Sequence, residues 1–131
     1  MIVLDASAAV HLLLGTEGAG DWVAERVAGE DRRVPQLFEY EVLSALRAAE
    51  WRRDVGRARA ASAVDDLASL RVRRHPPQPL LGRIWDLRKT LTVYDASYVA
   101  LAEALDAPLV TADGRLERAH GHGATIELCP V

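Results

Sequence analysis

The sequence predicts an α/β fold in which a short parallel β-sheet is covered by helices. Three observations lead there. Short apolar or β-branched runs alternate with longer segments of helical period along the chain. Runs such as Ile2-Val3-Leu4 and Leu109-Val110 carry no polar alternation, as expected of strands buried on both faces. Finally, 131 residues of which 50% are hydrophobic are enough to bury one core. A single domain over residues 1–131 is expected.

Each element has its own warrant. Ile2-Val3-Leu4 makes the first strand and ends at Asp5, after which Ala6 to Leu14 is helical until Gly15 stops it. Thr16 is placed to cap a second helix whose apolar stripe is Trp22, Val23, Ala24, Val27 and Ala28. A polar turn leads to the brief strand Arg33-Val34, and Pro35 suits the first turn of a long helix reaching about Arg53. Gly56 to Leu70 repeats the helical period. Arg71 to Arg74 alternates like an edge strand, Pro76, Pro77 and Pro79 mark a loop, and Leu80 to Thr90 is helical again. TLTVYDASYVALAEAL, residues 90–105, reads as a strand end running into an apolar helix that begins at Asp95. Pro108 to Thr111 is a strand, Gly114 to about His120 a short helix, and Thr125 to Leu128 the last strand. No internal repeat, linker or low-complexity tract interrupts the pattern.

Composition excludes several classes. A net charge of -3 argues against coating nucleic acid through an overall positive field, although local basic patches remain available. Arginine supplies nearly all the positive charge, Lys89 being the only lysine. MIVLDASAAVHLLLG has no basic residues ahead of its apolar ones, and no run approaches the roughly 20 apolar residues of a membrane span. No membrane association and a cytoplasmic location are expected. Cys129 is the only cysteine, which rules out an internal disulfide and a thiolate metal cage within one chain. His11, His75, His120 and His122 are dispersed and make a poor ligand set.

The acids are better placed. In open parallel sheets, sites form beyond the carboxyl ends of the strands. Asp5 directly follows the first strand, Asp113 lies two residues beyond Thr111, and Asp95 starts a helix whose preceding residues approach the same edge. Each alone reads as a turn or cap residue. Together they have no reason as caps to share one end of one sheet. The long helix offers a fourth acid, and here Glu39 and Glu41 border the stripe of Phe38, Val42, Ala45, Leu46 and Ala49 on opposite sides, so periodicity does not choose between them. Carboxylates sharing a poorly hydrated site raise one another's pKa, and a divalent cation relieves the repulsion. An all-oxygen ligand set favours a hard ion, Mg2+ or Mn2+. Such an ion can hold a phosphodiester and activate water for in-line attack.

Four blocks, MIVLDASAAVHLLLG, the helix from Pro35 that contains EVLSAL, LTVYDASYVALAEAL and PLVTADGRL, together resemble the PIN domain, most closely the VapC-type toxins of bacterial toxin-antitoxin pairs. The blocks fall in the family's order and cover essentially the whole chain. The resemblance implies a PIN-like three-layer α/β fold with a central parallel sheet of about four to five strands. It implies a Mg2+- or Mn2+-dependent endoribonuclease restrained by a cognate VapB-type antitoxin, acting on RNA and assembling as a homodimer within a larger toxin-antitoxin complex. Carried over by position, it assigns the acids to Asp5, Glu41, Asp95 and Asp113, with Asp5 and Asp95 the most direct metal ligands. Glu41 is preferred over Glu39 on resemblance alone, because it directly precedes VLSAL. Asp95 is expected to cap its helix as well as bind metal. Ser7 and Thr111 match polar positions near the family's site, and Arg115 follows Asp113 closely enough to touch a bound phosphate. Ser44 stands where many relatives carry asparagine.

Other readings fit the same residues less well. A phosphoacceptor signalling domain would want a lysine after a late strand, and Lys89 follows a helix. A catalytically silent PIN fold that only binds a partner is disfavoured by the intact set of acids. The clusters Arg52-Arg53-Arg57-Arg59 and Arg71-Arg73-Arg74 read as solvated surface or edge protection at least as well as RNA contacts. Tyr94, Tyr98 and Trp85 are expected in the core rather than stacked on a base.

Overall fold

The computed structural model describes residues 1–130. Five strands form one parallel sheet: β1 (Ile2–Leu4), β2 (Arg32–Pro35), β3 (Arg73–His75), β4 (Leu109–Thr111) and β5 (Ile126–Leu128). Their spatial order is β3-β2-β1-β4-β5. Val3 pairs with Arg33 on one side and with Leu109 on the other. Every residue of β1 is wholly buried, as its uninterrupted apolar run requires of a central parallel strand. The five strands fall within the expected four to five.

The helices are α1 (Ala6–Leu14), α2 (Ala19–Val27), α3 (Phe38–Trp51), α4 (Arg57–Ser69), α5 (Leu81–Asp86), α6 (Val93–Leu105) and α7 (Gly114–Arg118). Helix α1 packs with α2, α3 and α4, whereas α6 lies along β1, β2 and β4 with α5 beside it. In α3 the stripe Phe38, Val42, Leu46 and Ala49 is buried at helical spacing. In α6 the burial runs without break from Ala96 to Ala102, so this helix is apolar all round and threads the core. Gly15 ends α1 in the left-handed conformation, and its N–H reaches back to the helix carbonyls. Among the described residues no helix is long and apolar enough to cross a membrane.

Four local expectations need correction. Leu91 to Tyr94 is not a strand end: Thr92 is the N-cap of α6, which begins at Val93. Pro35 does not open the long helix but closes β2, as its last residue. Thr16 does not cap α2, which starts after Gly18; its hydroxyl lies 2.8 Å from His11 Nδ1. The segment from Leu80 is helical only over Leu81–Asp86, preceded by a 3-10 turn at Gln78–Leu80. The expected edge strand is present as β3, shifted to Arg73–His75 and lying at one margin of the sheet.

Candidate active site

The chain winds outward from β1 to β2 and β3, then returns to start β4 on the other flank of β1. This reversal puts the switch point between β1 and β4. In such sheets a crevice opens there beyond the carboxyl ends of the strands. Asp5 and Thr111 stand at those two ends.

Asp5 is 6% exposed, and two hydroxyls serve it. Ser7 Oγ donates to Asp5 Oδ2 at 2.5 Å, and Thr111 Oγ1 donates to the same oxygen at 2.7 Å. Both hydroxyl protons are thus committed to Oδ2. Among the described residues Oδ1 has no hydrogen bond. The hydroxyl oxygens are themselves held by the loop after β4: Ala112 N–H donates to Ser7 Oγ at 2.9 Å and Asp113 N–H to Thr111 Oγ1 at 3.0 Å. The result is a rigid link between the ends of β1 and β4. Asp5 caps nothing, although it occupies the N-cap position of α1.

Asp95 occupies the first turn of α6. The expected cap is made by Thr92, whose Oγ1 accepts from Asp95 N–H at 3.1 Å. The Asp95 carboxylate is therefore released from capping, contrary to the expectation that it would do both. Glu39 and Glu41 part company in α3. Glu39 Oε2 accepts from Arg74 Nε of β3 at 2.7 Å, which turns it toward the sheet edge. Glu41 is half-buried and its Oε1 is sealed from solvent with no hydrogen-bond partner. Helical period could not separate these two, because the deciding partner, Arg74, is brought in by the β2–β3 pairing.

Electrostatics draws Asp5, Glu41 and Asp95 together. All three carboxyls are pushed above their ordinary range, chiefly by burial. Their mutual repulsion adds to this: Asp95 and Asp113 act on Asp5, Asp5 and Asp95 act on Glu41, and Asp113 acts on Asp95. Asp113 behaves oppositely, its carboxyl lowered chiefly by hydrogen bonds from Arg115. Arg115 Nη2 is 2.6 Å from Asp113 Oδ2 and 3.8 Å from Asp95 Oδ2, so one guanidinium serves as counter-cation to both. No three acidic, histidine or cysteine side chains among the described residues are close enough to grip a single ion as they stand. The donor set still suits a hard cation: it is all oxygen, three members are held against their ionisation, and one buried oxygen of Glu41 lacks any partner.

Tyr98, expected in the core, lies wholly buried there and also borders the acids, a relation that the apolar pattern does not reveal. It follows Asp95 by three positions on α6. Its hydroxyl and the Glu41 carboxylate influence each other's ionisation, yet the hydroxyl completes no well-formed hydrogen bond. The spacing from Asp95 was the available signal. Tyr94 and Trp85 are 63% and 61% exposed, so for them the core expectation is overturned. Trp85 lies under the Arg88 guanidinium, 4.3 Å from its ring centre. The arginine clusters are divided: Arg52 pairs with Asp54 and Arg59 donates to the Leu13 carbonyl, while Arg57, Arg71 and Arg73 are exposed.

The chain belongs to the PIN domain family, whose model matches residues 2–121. Within that family it stands with the VapC ribonucleases: it is 50% identical over 128 residues to Ribonuclease VapC12 of Mycobacterium tuberculosis, an alignment that covers 98% of each chain. Two solved structures share the fold. Mycobacterium tuberculosis VapC20, a Sarcin-Ricin loop cleaving toxin, superposes with a TM-score of 0.68 at 16% identity, covering 90% of this chain and 94% of that one. VapBC2 from Rickettsia felis, bound to a DNA fragment from their promoter, superposes with a TM-score of 0.68 at 14% identity, covering 98% of both chains.

Proposed function

We propose that this chain is the toxin of a VapBC-type toxin-antitoxin pair, a metal-dependent endoribonuclease that hydrolyses RNA phosphodiester bonds. The observation that carries the chemistry is the crevice at the β1–β4 switch point, where Asp5, Glu41 and Asp95 all resist ionisation through burial and one another's charge. The similarity to Ribonuclease VapC12 over nearly the whole chain supports the reaction class. Asp5 and Asp95 would hold Mg2+ or Mn2+ directly, with Glu41 and Asp113 completing the shell. Such an ion would neutralise the carboxylates, hold the scissile phosphate and supply an activated water at neutral pH.

The chain's own residues do the positioning. Ser7 and Thr111 fix Asp5 through Oδ2 and leave Oδ1 to face the incoming charge. Arg115 is 68% exposed along its side chain, so it can leave Asp113 and Asp95 and take an RNA phosphate at the same rim. Burial keeps water from competing at Asp5 and Glu41. The Rickettsia felis complex supports a VapB-type antitoxin as the partner that restrains the nuclease, and a homodimer within that assembly, in the cytoplasm, completes the reading.

The test is cleavage of total RNA by the purified chain in Mg2+ or Mn2+, with EDTA and folded Asp5→Asn and Asp95→Asn variants alongside. Cutting should vanish in EDTA and fall by roughly a hundredfold or more in each variant, since losing a ligand costs at least what losing its supporting partner does. Variants that fold and cut at the wild-type rate would remove the acids from the mechanism.

A further inference from the structure

Beside the acidic crevice, at the carboxyl ends of β2 and β3, lies a small, largely apolar cavity of about 130 Å³. Pro35 and His75, the last residues of those strands, form part of its wall, and Leu37, Leu80, Ile84 and Ser97 form much of the rest. It neighbours the end of β1: pairing of Val3 with Arg33 sets Pro35, two residues further along β2, level with Asp5. The volume is well below that of a drug-sized ligand site and has room for about one ring system.

The polar groups of the cavity narrow the occupant further. Ser97 Oγ donates to the Tyr94 carbonyl at 2.6 Å and keeps its lone pairs as acceptors. Arg33 Nη1 is 3.2 Å from His75 Nε2; a guanidinium only donates, so Nε2 accepts and the ring proton belongs on Nδ1. Burial and the neighbouring Arg33 and Arg73 charges lower the His75 pKa, in keeping with a ring nitrogen that accepts from Arg33. Gln36, exposed at the cavity, adds an amide with both donors and an acceptor. Ser97 Oγ and His75 Nε2 already have partners, which leaves the Ser97 lone pairs, the His75 Nδ1–H and the Gln36 amide to meet the edge of a planar heterocycle. The adjoining edge strand β3 carries exposed Arg73 on the same face as His75, which suits a phosphate beside such a ring. Tyr94, the exposed aromatic just before Asp95, stands at the same end of α6.

We propose that this cavity receives one unpaired nucleobase of the RNA, next to the bond cut at the acidic crevice, and so sets base preference at that position. The inference rests on the nuclease reading above. A splayed base in an apolar slot with a few polar partners is the usual way single-stranded RNA is read.

Two measurements test it. In the first, the methyl and imidazole resonances of the wild-type chain are followed while AMP, GMP, CMP and UMP are each added with Mg2+. The Leu80, Ile84 and His75 signals should shift with one nucleotide about tenfold more readily than with the least favoured. That selectivity should be lost in Leu80→Phe, which fills the cavity, and weakened in Gln36→Ala. Shifts confined to residues around Asp5 and Asp95, or equal for all four bases, would overturn the proposal. So would shifts at the cavity produced by N-acetyl-leucine amide and by no nucleotide, which would assign it to a protein side chain. In the second, a randomised RNA is cut and the ends are sequenced. A base preference at one position beside the cut should flatten in both variants, and an unchanged preference in folded variants would sink the subsite while leaving the nuclease intact. Conversely, selective nucleotide shifts at the cavity in a wild-type chain that cuts nothing would uphold the base subsite and refute the nuclease.

Discussion

Asp5 bears the heaviest desolvation of the clustered acids, and its two hydroxyl donors offset only part of it. Its folded pKa lies above its unfolded one. The resulting stability is therefore fully present below the unfolded carboxylate range and is lost as pH rises through the raised folded value. Glu41 and Asp95 are shifted in the same direction and act in the same sense. In EDTA the fold should accordingly be more stable in mild acid than at neutral pH. Asp5→Asn removes the buried charge while its amide oxygen can still accept from Ser7 and Thr111. At neutral pH in EDTA it should melt higher than wild type, and the gap should close as the pH falls into the carboxylate range. Thermal melts across that window check this, and an Asn variant that is less stable at neutral pH would show that burial is not the dominant influence on Asp5. Asp5, Asp95 and Asp113 were legible from sequence because each follows a recognisable strand or opens a recognisable helix. Glu41 was not, since both glutamates border one apolar stripe and only the tertiary partner Arg74 sorts them.

Among the elements, α6 makes the clearest case for local chemistry serving the site. Thr92 caps it, and the N–H it satisfies belongs to Asp95 itself. Losing that hydroxyl should both loosen the first turn and let Asp95 drift. Thr92→Ala should cost about 1 kcal/mol of stability, with a further fall in metal affinity, and Thr92→Ser should restore both. Calorimetry of Mn2+ binding, run beside melts of the two variants, decides it; an alanine variant that binds metal normally would separate the cap from the site. The sequence misplaced this helix start because Thr92, Val93 and Tyr94 are the β-branched and aromatic types that favour strands. Tertiary burial of the residues that follow overrode that preference. A similar override applies at Pro35, whose fixed φ suits a helix start but is used to end a strand. The alternation of elements, by contrast, was fully legible, because strand and helix periods differ too much to be confused over whole segments.

For the molecule as a whole, the strand order β3-β2-β1-β4-β5 is what gathers the acids, and nothing local in the chain specifies it. Parallel neighbours and crossovers could be expected from the alternation, but which flank β4 would join depends on packing of the finished sheet. A cation that binds only this assembled arrangement must stabilise it. At a hundredfold excess over its dissociation constant, Mg2+ or Mn2+ should add about 2.7 kcal/mol to the fold, and little in Asp5→Asn. Unfolding in denaturant with and without metal measures this, and identical curves would remove the ion from the reading.

The position of β4 beside β1 has one more consequence, which concerns synthesis. Asp5 and Glu41 emerge from the ribosome early, but Asp95, Thr111 and Asp113 come near the end of the chain, and the central strand lacks one neighbour until β4 is made. Domains assemble as their segments become available. A half-made chain thus carries half a crevice, and its acids meet only once β4 and the loop beyond it have been made.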